Sequence, residues 1–280
     1  MTKPKIPSVR PAKVTLAWLV EIASWLNDRD RQIALDCYEH HVLTTEQLQR
    51  LHFSGVRTAR TRLHALYMWR VLDRFRPPWQ RGEGSTPHHW ILDEAGAHIV
   101  AELSGIERGD LKWRHSTALA LANSAKLRHH IEINEFFARL AQEAVAVGGV
   151  LSEWYGERTA HQLFSSAIMP DGYGVLCLPS RAPLHILLEL DRATEPVVRL
   201  RDKATRYAQA IPRSVLSASS PLVVLAVPTP ARAHAAAAAT ADTGAPIAVA
   251  VWGKDSSPLE ILAMGEGGRS WHTSGRREGT

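Results

Sequence analysis

Ile168-Met169-Pro170-Asp171-Gly172-Tyr173-Gly174, followed by Leu184-His185-Ile186-Leu187-Leu188-Glu189-Leu190-Asp191-Arg192, is the stretch on which the fold of this chain turns. Its apolar runs predict strands over residues 168–171 and 184–190, separated by a Gly-Tyr-Gly turn and a short strand over 175–178. The strand ends deliver three carboxylates, Asp171, Glu189 and Asp191, toward one place. Acids beside a run as apolar as Ile186-Leu187-Leu188 are costly to bury unless they meet a cation, a proton or a hydrogen-bond donor. A divalent metal is one candidate. Mg²⁺ and Mn²⁺ take carboxylate oxygens and leave their other positions to water and substrate phosphate, so Asp171 and Glu189 would be the ligands. Glu153, ending a strand over 150–154, and His129 or His130, late in a long helix, are further candidates, although packing or surface duty is the commoner role of a single histidine.

Outward from these strands the pattern is that of an α/β domain over residues 117–262 with a mixed sheet. A long helix over 117–147 ends at Gly148-Gly149. After residue 190 comes a helix over 195–210 that carries Arg199, Arg201, Lys203 and Tyr207. A buried-type strand over 221–227, an alanine-rich helix over 229–241 and a last strand over 246–252 complete the domain, and a disordered tail is expected over 265–280. Lys203 and Tyr207 are four residues apart on their helix and can face the sheet together. Tyr207 has two readings, a nucleophile forming a phosphotyrosine link or, more commonly for a tyrosine in this setting, a packed ring with a hydrogen-bonded hydroxyl.

Upstream, residues 1–12 carry three prolines and predict a flexible arm before a domain over 13–110. The helix over 14–26 is apolar nearly all round, with Trp18 and Trp25 either in the domain's own core or partly against another subunit. A helix over 31–41, a turn, a helix from Thr44 to 51 and a third helix over 56–71 have the order of a helix-turn-helix. Thr44 with Gln47 three residues on is a capping box that fixes the start of the middle helix. The third helix sets Arg57, Arg60, Thr61 and His64 on its polar face, the face that would enter a major groove. Strands over 72–76 and 88–92 predict a hairpin wing, with Arg74, Arg76 and Arg81 placed for phosphates.

Composition is consistent with this division. Two domains suit 280 residues, and 33 Lys+Arg against 28 Asp+Glu favour an anionic partner. Cys37 and Cys177 are too few for a disulfide framework or a cysteine zinc site, and no run is long and apolar enough for a signal peptide or spanning helix, so a cytoplasmic protein without membrane attachment is expected. A phosphate-loop motif, a Gly-x-Ser-x-Gly elbow and a His-Glu-x-x-His zinc pair are all absent from the sequence.

Pro170-Asp171, with Glu189-Leu190-Asp191 on the next long strand, resembles the PD-(D/E)XK signature of restriction-endonuclease-like nucleases. Joined to a winged helix and continued as Asp191-Arg192-Ala193-Thr194-Glu195 with Lys203 and Tyr207, residues 30–255 are similar to the replication-relaxation family of actinobacterial and plasmid proteins, itself similar to mobilisation relaxases of restriction-endonuclease-like type. The resemblance implies a winged helix-turn-helix followed by a restriction-endonuclease-like domain, double-stranded DNA as partner, and a second copy or other mobilisation and replication proteins beside it. It implies catalytic roles for Asp171, Glu189, Asp191, Lys203 and Tyr207, with Mg²⁺ or Mn²⁺ if the site is catalytic. One departure stands out. The signature's lysine position, two after Glu189, holds Asp191, and Lys203 is the candidate to supply the ammonium from elsewhere. Two functions follow: a metal-dependent DNA-nicking relaxase, or a DNA-binding regulator or accessory factor that uses the nuclease-like domain as a scaffold.

Overall fold

A computed structural model describes residues 5–77, 86–164, 168–219 and 221–266. The chain divides into two compact units, residues 1–138 and 139–280. No helix among the described residues is long and apolar enough to cross a membrane.

The first unit contains α1 (Leu16–Ala23), α2 (Asp28–Glu39), β1 (Leu43–Thr44), α3 (Thr45–His52), α4 (Val56–Met68), β2 (Leu72–Phe75), β3 (His89–Leu92), α5 (Glu94–Leu103) and α6 (His115–Ala120). Its strands form a small antiparallel sheet in the order β1-β3-β2, with Arg74 opposite Trp90. The expected capping box is present: the Thr44 hydroxyl accepts from Gln47 N at 3.2 Å, and the Gln47 side chain accepts from Thr44 N at 2.9 Å. A second box, Asn27 with Asp30, starts α2. Asp30 is wholly buried, which is tolerable because Arg62 of α4 grips it in an ion pair while also donating to the Trp25 carbonyl. Trp18 packs edge-on against Trp25, and Trp25 packs tilted against Trp69, with ring centroids 5.9 and 5.6 Å apart, so both tryptophans of the early helical segment belong to the unit's own packing.

The described part of the proline-rich arm is tied down. Trp69 Nε1 donates to the Lys5 carbonyl, Arg70 Nη1 to those of Pro11 and Ala12, and Arg10 forms ion pairs with Asp73 and Asp93. The predicted long helix over 117–147 is interrupted. α6 passes into a 3-10 turn (Leu121–Asn123), Ser124 adopts an extended conformation, and α7 (Leu127–Ala146) begins afresh. The early turns of α7 pack within the first unit, where Asn134 Nδ2 donates to the Val42 carbonyl at 2.7 Å and Arg50 grips Glu135.

The second unit contains the rest of α7, β4 (Val150–Gly156), α8 (Glu157–Leu163), β5 (Gly172–Cys177), β6 (Leu184–Leu190), α9 (Val197–Ala210), β7 (Leu222–Val227), α10 (Pro230–Thr240), β8 (Ile247–Val251) and α11 (Pro258–Glu266). The five-stranded sheet runs β4-β5-β6-β7-β8, antiparallel through β6 and parallel from β6 to β8, so the expectation of a mixed sheet holds. α7 ends at Gly148-Gly149 as predicted, with Gly148 at φ +78, a conformation that glycine adopts without a side-chain clash.

Two local expectations need correction. Residues 168–171 are not a strand, and Gly172-Tyr173-Gly174 is not a turn: all three lie inside β5, opposite Leu188, Leu187 and Ile186 of β6. Paired on both sides by β4 and β6, the segment gains ladder hydrogen bonds that outweigh glycine's weak strand preference. α8 and α11 were not foreseen. On one face of the sheet Tyr173, Leu187 and Val223 pack with Tyr207 and Ile211, which lays α9 across the strand that carries Glu189.

Candidate functional site

α9 has an apolar face, Leu200, Ala204 and Tyr207, at helical spacing, and burying it turns the neighbouring position, Lys203, toward the sheet. β6 brings Glu189 to the same place from below. Its side chain is 4% exposed, and both oxygens are engaged: Lys203 Nζ donates to Oε2 at 2.5 Å and the Tyr207 hydroxyl to Oε1 at 2.6 Å. Asp171 is the third member. Its backbone N–H donates to the Leu188 carbonyl at 2.9 Å, and its Oδ2 accepts from Leu190 N at 2.7 Å, so the residue just before β5 is held at the end of β6.

The electrostatics follow from burial and from two acids sharing one place. Burial, and then the charge of Asp171, push the Glu189 carboxyl up to about 7 against the pull of Lys203 and Tyr207. Burial alone would lower the Lys203 ammonium, but the charge of Glu189, its hydrogen bond and the charge of Asp171 more than offset this and raise it. Lys203 is therefore a cation at neutral pH, and Glu189 sits near its titration point. The Tyr207 phenol is pushed well above its ordinary value by burial first and by Glu189 second, which keeps it a hydrogen-bond donor.

The other expected members are elsewhere. Asp191 Oδ2 accepts from Arg232 Nε of α10 at 2.5 Å and its Oδ1 from Ala193 N at 2.9 Å. Arg232 also donates to the Glu195 carbonyl, which fastens the loop leaving β6 to the start of α10. Glu153 of β4 pairs with Val175, four residues along β5 from Asp171, or ~13 Å at strand rise. Its charge acts on Tyr173, whose phenol burial first pushes up to about 12. His130 is in the first unit, with its ring edge-on to His41 at 5.3 Å. Among the described residues, no group of three or more His, Cys, Asp or Glu side chains is arranged to hold a metal ion. What remains is a pair of hard oxygen donors, Asp171 and Glu189, a set that suits Mg²⁺ or Mn²⁺ when water and a substrate phosphate supply the other positions.

In the first unit Arg57, Arg60, Thr61 and His64 are all exposed on the outer face of α4. Neither Arg57 nor Arg60 makes an ion pair among the described residues. The arginines of the hairpin are more committed. The Arg74 guanidinium lies 4.5 Å from the Tyr67 ring centroid and 5.6 Å from that of Trp90, a cation–π sandwich. Arg76 Nη2 lies 3.1 Å from His88 Nε2, and burial, then Arg74 and Arg76, lower the His88 imidazole to about 4, so it is neutral and accepts. Arg81 lies outside the described residues.

Arg232 and Arg10 had no sequence signal: each meets its acid across 41 or more residues. A family model described as replication-relaxation matches residues 36–217, from α2 to beyond α9, a span that includes α4, Asp171, Glu189, Lys203 and Tyr207. No curated protein and no solved structure matches the chain.

Proposed function

Since the chain belongs to the replication-relaxation family, we propose that it is a DNA-binding replication or mobilisation protein of a plasmid or other mobile element, with a phosphodiester-cleaving site in its second unit. The observation that carries the reading is the 2.5 Å contact between Lys203 Nζ and Glu189 Oε2, beside Asp171. An acid just before β5, an acid on β6 and a lysine are the parts of the nuclease signature; the lysine comes from α9, since the usual position holds Asp191, which pairs with Arg232. The order α2, α3, α4, β2, β3 and the exposed Arg57 and Arg60 support a winged helix whose α4 faces DNA.

Asp171 and Glu189 would hold a divalent ion, and such an ion would polarise a phosphoryl oxygen and lower the pKa of bound water. The chain's own residues act around it. Tyr207 orients the Glu189 carboxylate, and Lys203 supplies a fixed positive charge where negative charge builds on a phosphodiester. The test is nicking of supercoiled DNA bearing the element's own origin, with Mg²⁺ or Mn²⁺, by the wild type and by Asp171→Ala and Glu189→Ala. Equal nicking by all three would sink the reading.

One observation favours the scaffold alternative. Both Glu189 oxygens already carry protein donors, and Lys203 balances the charge of that carboxylate without an ion. In that case the wild type binds DNA and cuts in neither metal.

A further inference from the structure

We infer that Arg199, Arg206 and Arg213 form a ridge on the second unit that follows a DNA phosphate backbone past Lys203; the inference rests on the DNA-processing reading above and adds a second contact surface to it. Arg199 and Arg206 are seven residues apart on α9, two turns, and so lie one above the other on the same face. Arg213 repeats the interval in the 3-10 turn (Ile211–Arg213) that continues the helix. All three are exposed.

The ridge is not an ordinary solvated charge run. Its basic neighbours are spent on acids: Arg201 pairs with Asp242, Lys203 with Glu189 and Arg232 with Asp191. Arg199, Arg206 and Arg213 make no ion pair among the described residues; Arg206 Nε makes only a long 3.4 Å bond to the Asp202 carbonyl of its own helix. Asp202, the one acid of α9, is exposed three residues after Arg199 and four before Arg206, so it flanks both on the side away from Lys203. Lys203 sits between Arg199 and Arg206 at the border of the buried face, with its head on Glu189. A polyanion laid along the row therefore passes beside Lys203, whose ammonium is held on Glu189. The step from Arg199 to Arg206 is roughly 10.5 Å at helix rise. Guanidinium forks suit phosphate oxygens, and backbone contacts of this kind hold register without reading sequence.

The experiment is a salt titration of binding by the full chain to a labelled mixed-sequence duplex and, in a second arm, to one of its strands alone. The triple variant Arg199→Gln/Arg206→Gln/Arg213→Gln should lower the slope of log affinity against log salt by about 2 to 3 on the backbone it contacts, duplex or single strand. Its thermal melting should match wild type, and the corresponding triple lysine variant should restore most of the slope. An Arg57→Gln/Arg60→Gln variant serves as control. If that control loses slope while the triple variant keeps the wild-type slope in both arms, the ridge is wrong and DNA binding by the first unit stands. If the wild type shows no salt-dependent binding in either arm, the ridge and the DNA-processing reading fall together.

Discussion

Lys203 and Glu189 are fourteen residues apart in sequence, yet Nζ and Oε2 are 2.5 Å apart, with the acid almost wholly buried and the lysine 38% exposed. The pair is thus open to solvent on one side only. Replacing Lys203 by Met leaves Glu189 without its cation in a site that also holds Asp171. Breaking a buried pair typically costs about 3–5 kcal/mol, and the exposure of Lys203 reduces this to about 1–3 kcal/mol. The urea midpoint at pH 8 should fall by on the order of 1 M. At pH 5.5, where Glu189 is protonated, the deficit should shrink; an equal deficit at both pH values would show that the lysine acts only by packing.

The same carboxyl sets a pH dependence. Its folded value of about 7 lies above the ordinary 4.5, so between those values the native state holds a proton that the unfolded chain has released. Stability contributed by Glu189 is therefore greatest below about 4.5 and declines as pH rises toward 7, by on the order of 3 kcal/mol at most. Glu189→Gln removes that slope. Melting curves at pH 5 and pH 7.5 should bring variant and wild type close together at the lower pH, with the variant gaining relative stability at the higher. A difference that does not change with pH would place the titration elsewhere.

How much of this was legible in the sequence depends on the range of the interaction. The Thr44–Gln47 box, the Gly148-Gly149 stop and the β6 run are set by neighbours within a few residues, and each appears where its pattern predicts. Gly172-Tyr173-Gly174 misled because local preference favours a turn, while the pairing that makes it strand comes from β4 and β6. The break at Ser124 was hidden by helical periodicity on both sides of it. The acid at 191 looked like part of the cluster because strand alternation puts it on the Glu189 face; only Arg232, 41 residues on, draws it away. No spacing rule foretells that Lys203 reaches Glu189, since this needs α9 laid across β6, a consequence of packing Tyr207 and Ile211 on Leu187.

In the first unit, Asp93 should prove a stability hub. It is fully buried, accepts a two-pronged grip from Arg70, with bonds of 2.6 and 2.9 Å, and is also paired with Arg10 of the arm. The hydrogen bond to Asp93, against the cost of burial, raises the Arg70 pKa above its ordinary value. Asp93→Asn leaves two guanidinium groups facing a neutral amide, and the cost should be about 3 kcal/mol by urea unfolding. Deleting residues 1–12 should lower the melting temperature by less, a few degrees, because Arg70 keeps its grip when Arg10 is gone. A truncated chain that melts with wild type would show that the arm contacts contribute nothing to stability.

The outer face of α4 provides the last prediction. Arg57 and Arg60 are exposed and free of ion pairs among the described residues, so their substitution by Gln removes charge without leaving a buried partner behind. Binding to the element's own origin should weaken and the log–log salt slope should fall by about 2. Arg74 should behave differently. Its guanidinium is sandwiched by Tyr67 and Trp90, so Arg74→Gln should lower stability, by about 1 kcal/mol, along with any loss of affinity. The contrast separates groups proposed only to meet phosphate from one that also holds the hairpin to α4. If Arg74→Gln leaves melting unchanged while Arg57→Gln/Arg60→Gln lowers it, the assignment of the two roles is reversed.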